Sequence, residues 1–351
     1  MRYNTGIIRD RSGTKERKMI AMKKIISLLL VLTLVLALFV GCGGKTGTDG
    51  SALRLALVVA GSFGDRSFYD SSKEGAERLV KDLGVELTTI ECNDADHSTQ
   101  MQNAAEKADI VVCVGWEFYE IEDIAPKYPN VKWIWVDNET SAPVDNVLNI
   151  VYRQNEGSFL AGYIAAAMSK SGVIGAVGGE DSDTINDFIV GYEQGAAYYN
   201  KDIQVVHNYT NGDYNNPALG KECALALNDK KADVIFQIAS ASGDGVFEAA
   251  KERGFYAIGV DSDQKYIDPE VIICSMRKGV GDSIYQAVSR AQKGQEMWGT
   301  TWIVGLADQL VGIAYGDDSM TQQISDELKA EVESLAQQIA GGEIMVKTTR
   351  K

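Results

Sequence analysis

Short apolar runs alternate with stretches of helical periodicity along most of the chain. Leu53–Ala60 (LRLALVVA) is a strong buried-strand signal. The loop GSFGDRSFYD follows, and then a helix with Ala76, Leu79, Val80 and Leu83 on one face, closed by Gly84. Val85–Cys92 reads as a second strand, Gln100–Lys107 as a helix and Asp109–Val114 as a third strand. Glu117–Ala125 reads as a helix stopped by Pro126, and Val131–Val136 as a fourth strand ending on Asp137. Repeated β-α-β units with short strands predict a doubly wound, parallel α/β sheet.

Val147–Val151 begins a change, leading into GSFLAGYIAAAMSKSG, an Ala/Gly-dense helix expected to pack tightly where two lobes meet. A second series follows: strand Val173–Val177, helix Thr184–Tyr199, strand Ile203–Val206, helix Pro217–Asn228 and strand Val234–Phe236. Within it, Ala232–Gln264 holds an apolar run, a small-residue loop (Ser240–Gly245), a helical stretch and a second apolar run ending on Asp261. In parallel sheets ligands collect beyond the carboxyl ends of the strands, so this loop and Asp261 are expected side by side at a cleft. The strand Val271–Ser275 and the helix Asp282–Gln292 are expected to return to the first lobe, and 321–341 is an amphipathic helix. Lobe 1 is therefore expected over 53–160 plus about 275–320, and lobe 2 over about 161–274 plus about 321–351.

At 351 residues and 45% hydrophobic content, two lobes with sizeable cores are the natural expectation. The charge is uneven: of the formal −15, residues 1–41 carry +6 and the remainder −21. So acidic a body excludes nucleic acid as a partner of its surface. Lys23 and Lys24 precede an apolar run from Ile25 to Val40 that closes on Gly41-Cys42, the pattern of a secretory signal over 1–41. A single transmembrane anchor is the competing reading, but the run is shorter than the ~20 residues a spanning helix needs. Met22-Lys-Lys begins a complete signal by itself, so 1–21 reads as an over-long start, and 42–52 reads as Cys42 plus a flexible tether. Cys92, Cys113, Cys223 and Cys274 form no metal-ligand spacing with His97 and His207, and Cys113 and Cys274 lie in apolar runs as small buried hydrophobes.

With these residues in view, the chain resembles the basic membrane protein family, substrate-binding lipoproteins of ABC importers related to the purine-nucleoside receptors. The likeness rests on motifs in order: GDRSFYDSSKEGAERL (64–79), the strand-end Asp137, YRQNEGSFLAGYIAA (152–166), DFIVGYEQGA (187–196), ADVIFQIASASGDGVFEAA (232–250), IGVDSDQ (258–264) and CSMRKGV (274–280). It implies a two-lobed type I periplasmic-binding-protein fold that closes on a nucleoside, with Cys42 lipidated at a lipobox-like site. It further implies that Phe68 and Phe188 sandwich the base, and that Asp137, Gly243, Asp261 and Lys278 surround the sugar and cleft. The expected partners are a small-molecule ligand, an ABC permease and a membrane held through the lipid. The expected state is a monomer on the outer face of the cytoplasmic membrane, with no cofactor. Two positions depart from the family pattern: Val59 stands where an acid commonly ends the first strand, and Tyr69 where Asn follows the loop phenylalanine. Both changes remove hydrogen-bond partners for a base and leave the purine preference open.

Each residue also has a plainer reading. Phe68 precedes a helix and would serve as a hydrophobic staple, Phe188 would serve as core, and Asp65, Asp137 and Asp261 as helix or turn caps. Gly243 would answer only a backbone need and Lys278 would be a surface charge. Trp116 and Phe118 follow the third strand and are candidates to line the cleft, with burial against the lobe core the favoured reading. No GxSxG, HExxH, GxxxxGK[ST] or strand-bound GxGxxG motif is present, which argues against catalysis. The remaining alternatives are a binding protein for a sugar or another small heterocycle, a ligand-sensing subunit for a membrane kinase and, least favoured, a nucleoside hydrolase using Asp137 and Asp261.

Overall fold

The computed structural model describes residues 52–92 and 96–350, so the expected signal segment and Cys42 lie outside the described residues. The first sheet contains β1 (Arg54–Val59), β2 (Glu86–Glu91), β3 (Ile110–Val114), β4 (Lys132–Val136), β5 (Val147–Tyr152) and β11 (Thr300–Val304). Its order is β11-β5-β4-β3-β1-β2, and every pairing is parallel. The second sheet contains β6 (Val173–Gly178), β7 (Gln204–Tyr209), β8 (Val234–Ile238), β9 (Tyr256–Asp261), β10 (Ile272–Lys278) and β12 (Val311–Ala314). Its order, β12-β10-β9-β8-β6-β7, repeats that of the first, with β12 antiparallel to β10.

Side-chain alternation explains the layers. In β1, Leu55, Leu57 and Val59 face one core while Ala56 and Val58 face another, and β3 divides in the same way. A strand buried on both faces reads as a continuous apolar run, and both faces need helices to cover them. In the first lobe the cover includes α1 (Phe68–Leu83), α2 (His97–Ala105) and the short α3 (Ile121–Ile124); in the second it includes α4 (Gln154–Met168), α5 (Asp183–Tyr199), α6 (Pro217–Asp229) and α7 (Asp244–Arg253). Two further helices are α8 (Val280–Gln292) and α9 (Asp326–Ala340). Gly84 ends α1 in the left-handed region at φ 67°, as its position in the sequence leads one to expect.

Several expectations need correction. β10 stays in the second sheet, because it pairs with β9 on one side and β12 on the other and its apolar run is buried there. The chain leaves that lobe only after Lys278, and α8 then packs on α1 of the first lobe. The Ala/Gly-dense helix α4 packs along α5 within the second lobe, so closely that a Cβ on Gly195 would stand 1.8 Å from the Phe159 carbonyl oxygen. The helix expected over Glu117–Ala125 is a 3₁₀ turn, Trp116–Phe118, followed by α3. β11, partly exposed at a sheet edge, begins on Thr300 and Thr301 rather than on apolar residues, and β12 is a strand of four residues at the edge of the other sheet.

The chain crosses between the sheets three times: after β5, after β10 and between β11 and β12. The crossings are tied together where Arg153 N donates to Val304 O (2.8 Å), Gly279 N to Leu310 O (2.7 Å) and Leu306 N to the Glu156 carboxylate (2.9 Å).

Candidate functional site

The loop after β1 is organised by Asp65. Its buried carboxylate accepts from the backbone N–H groups of Ser67, Tyr69 and Asp70, each at 3.0 Å, which satisfies the orphan donors at the start of α1. The capping reading of Asp65 therefore holds, and it fixes Phe68 as the first residue of α1. The same carboxylate accepts from Ser240 Oγ of the second lobe at 2.9 Å. Beside it Ser67 Oγ donates to Asp261 (2.5 Å), and Arg66 pairs with Asp244 (2.7 Å). The two lobes are thus bridged by hydrogen bonds and an ion pair along one lip of the cleft.

Asp137 follows β4 and Asp261 ends β9, so each lobe brings one acid to the carboxyl end of its sheet. Both sit in the left-handed backbone region, at φ 69° and 64°. That conformation is uncommon for a non-glycine residue and costs roughly 1–3 kcal/mol, which the surrounding structure has to offset. Asp137 is held by two cations of the opposite lobe: Lys278 Nζ lies 2.6 Å from Oδ2 and Arg350 3.2 Å from Oδ1. Asp261 is buried. Burial pushes its carboxyl up to about 6; Lys278 and the Ser67 hydroxyl pull it down, while Asp65 and Asp137 add to the rise.

Lys278 lies at the centre of this group, with a side chain only 2% exposed. Its ammonium stands 5.2 Å from the ring centroids of both Phe68 and Phe188 and 5.0 Å from that of Tyr152, within cation–π range of all three. Tyr152 is buried and shares a 2.5 Å hydrogen bond with Ser283, which fixes its ring.

Phe68, Phe188, Asp137, Asp261 and Lys278 line one cavity of about 580 Å³ between the lobes. Both Phe68 and Phe188 also pack against the main core, so the core reading of Phe188 describes part of its surroundings but omits the cavity it faces. Gly243 is not among the lining residues. It lies in a 3₁₀ turn, Ser240–Gly243, where the Gln237 side-chain oxygen would be 1.9 Å from an added Cβ, so close packing explains the glycine. Ser240, from the same loop, faces the cavity instead. Trp116 also lines it and is 53% exposed, whereas Phe118 is buried in the core as expected. Val59 is fully buried in the sheet and does not line the cavity, while Tyr69 does.

Sequence reasoning missed Glu117, Glu180, Tyr214 and Arg350, all of which line the cavity. The placement of Arg350 depends on a strap after α9. Thr348 and Thr349 bond Asp187, Lys347 pairs with Gln194, and Arg350 donates to the Asp137 carbonyl and to Thr184 Oγ1. No local pattern near residue 350 signals such a role. Among the described residues no cluster of His, Cys, Asp or Glu is arranged to hold a metal ion, and the four described cysteines are free and buried.

Residues 52–350 match the family described as ABC transporter substrate-binding protein PnrA-like. The chain belongs to this family. Among its PnrA-like relatives is Basic membrane protein A of Borreliella burgdorferi, 31% identical over 337 residues, covering 94% of this chain and 97% of that protein. A solute-binding protein of an ABC transporter system from Aeropyrum pernix has a similar structure, with a TM-score of 0.76 and 28% identity over 85% of this chain and 94% of the other. A second such protein, from Conexibacter woesei, shares the fold at a TM-score of 0.71 and 22% identity, over 86% of this chain and all of the other. The two-lobed periplasmic-binding-protein architecture expected from the sequence is therefore established. PnrA-like proteins of this kind bind a small-molecule ligand and an ABC permease, an extracytoplasmic role. Among the described residues no helix is long and apolar enough to cross a membrane.

Proposed function

We propose that this chain captures a nucleoside by closing its lobes and delivers it to an ABC importer. The observation that carries the reading is the pairing of chemistries around one cavity: Phe68 from the first lobe and Phe188 from the second, Asp137 from the first and Asp261 from the second. Aromatic faces take a flat heterocycle by offset stacking, and strand-end carboxylates take sugar hydroxyls as charge-assisted acceptors. A cavity of about 580 Å³ lies inside the ~300–1,000 Å³ range of small-molecule sites. Lys278 orients Asp137 and, between the rings, donates to a ligand oxygen as the ligand displaces part of its aromatic contact.

Closure is the mechanism. A ligand bound on one lobe recruits the second ring and the second acid, and the permease reads the closed form. Cys42 carries the lipid that holds the mature protein as a monomer at the outer face of the cytoplasmic membrane. No step of this cycle breaks a bond, so a nucleoside incubated with the protein is recovered intact by chromatography.

Mass spectrometry of the small molecules that leave the purified protein on denaturation tests the reading. Recovery of a nucleoside supports it; recovery of a sugar, an amino acid or a peptide in its place overturns it.

A further inference from the structure

Glu117 stands out among the polar groups of the cleft. It follows β3 on the 3₁₀ turn Trp116–Phe118, which buried Phe118 anchors in the core. Gly115, at φ 121°, lets the carboxyl fold back over the strand ends: a Cβ there would lie 2.3 Å from Glu117 Oε2 and 3.9 Å from Ala60 Cβ, just beyond β1. Glu117 Oε2 is buried and accepts no hydrogen bond. An unmatched buried acceptor is costly unless something supplies the missing donor.

The surrounding groups do not supply it. The two cations lining the cavity, Lys278 and Arg350, are both engaged by Asp137. Across the cleft lies Glu180, which follows β6 of the second lobe. Burial first, and then Glu180 and Asp137, push the Glu117 carboxyl up to about 7, with a bond from its own backbone counting against them. Tyr69 and Tyr214 also feel the Glu117 charge, and it opposes the ionisation of both. Closing the lobes therefore gathers acids around a carboxyl whose Oε2 has no donor. A ligand that offers N–H groups resolves the mismatch.

Resting on the nucleoside reading above, we propose that Glu117 is the specificity-determining residue of the cleft, accepting N–H donors from the base edge and selecting a guanine-type base. Its two carboxylate oxygens match a ring N–H beside an amino group, the paired donors that guanine presents. Hypoxanthine offers the ring N–H without the amino group. Adenine places an acceptor beside its amino group, directly opposite a carboxylate oxygen.

The test is calorimetric titration of guanosine, inosine and adenosine into the wild-type protein and Glu117→Gln at pH 8, above the range in which Glu117 titrates. Guanosine is expected to bind the wild type at least about tenfold more tightly than inosine or adenosine, the size of effect expected for a lost hydrogen bond to a charged group. In Glu117→Gln that preference is expected to fall to within about twofold. The wild-type ratios need no variant and stand even if Glu117→Gln folds poorly. A wild-type preference below tenfold, or one that survives the substitution, overturns the role of Glu117 and leaves the nucleoside reading in place. Failure of every nucleoside to bind the wild type would bring down both.

Discussion

At the scale of single residues, the carboxyl of Asp261 is pulled up by burial and down by Lys278 and the Ser67 hydroxyl, and the balance leaves it raised to about 6. The groups facing it are Lys278, Ser67, Asp65 and Asp137. A folded-state value above the ordinary 3.8 means that the contribution to stability is fully present below about 4 and is lost as pH rises through about 6. The ligand-free protein should accordingly melt at a lower temperature at pH 7 than this group would allow at pH 4.5, and Asp261→Asn should flatten that part of the profile. Hydroxyl donors from a ligand favour the charged carboxylate, so affinity should rise with pH through about 6, by no more than about tenfold per unit for this one group. Asp261→Asn should weaken binding by about 2–3 kcal/mol, the scale of hydrogen bonds to a charged group, without lowering the ligand-free melting temperature at neutral pH. Calorimetry and a thermal melt check both; a large stability loss with unchanged affinity would make Asp261 part of the framework. Asp137 and Asp261 were legible as acids at strand ends, whereas Phe68, Phe188 and Lys278 were singled out through the family resemblance. Arg350 reaches Asp137 across 213 residues of chain and leaves no local trace, whereas Glu117 follows a strand end but reads in the sequence as the start of a helix, Glu117–Ala125, rather than as part of a turn.

Among the secondary-structure elements, the close pairing of α4 with α5 supports the second lobe. Backbone meets backbone at Gly195, where a methyl group would overlap the Phe159 carbonyl. Gly195→Ala should therefore cost about 1–3 kcal/mol, the usual penalty for overpacking, read as a lower denaturant midpoint. Residual affinity of the folded fraction should change little, because neither Gly195 nor Phe159 lines the cavity. The sequence marked this helix as tightly packed but assigned it to the wrong neighbour, since small-residue composition says how closely a helix approaches and nothing about which element it approaches. The central strands, in turn, were legible and β11 was not. A doubly buried strand must be apolar throughout, whereas an edge strand with one solvated side is free to carry residues such as Thr300 and Thr301. The placement of β10 turned on non-local pairing with β9 and β12, and no window of sequence contains that information.

For the whole molecule, binding and closure are one equilibrium, so a bond made only between lobes contributes to affinity without touching the ligand. Arg66–Asp244 is such a bond, with the Arg66 side chain 45% exposed and outside the cavity lining. Arg66→Ala should weaken ligand binding by no more than about 1 kcal/mol, and added salt should shrink the wild-type advantage, as for other exposed ion pairs. In small-angle scattering the ligand should reduce the radius of gyration, and Arg66→Ala should need more ligand to reach the same compact state. A variant whose affinity and scattering match the wild type at low salt would remove this ion pair from the closing equilibrium. The account as a whole requires the cleft to recognise a ring and a sugar together, one lobe contributing an aromatic face and an acid to each closing half. Titration of a nucleoside, its free base and ribose into the same protein by calorimetry tests this most directly. The account predicts one-to-one binding of the nucleoside with an affinity that neither fragment approaches, and its loss in Phe68→Ala; ribose binding as tightly as the nucleoside, or tight binding untouched by Phe68→Ala, would contradict it.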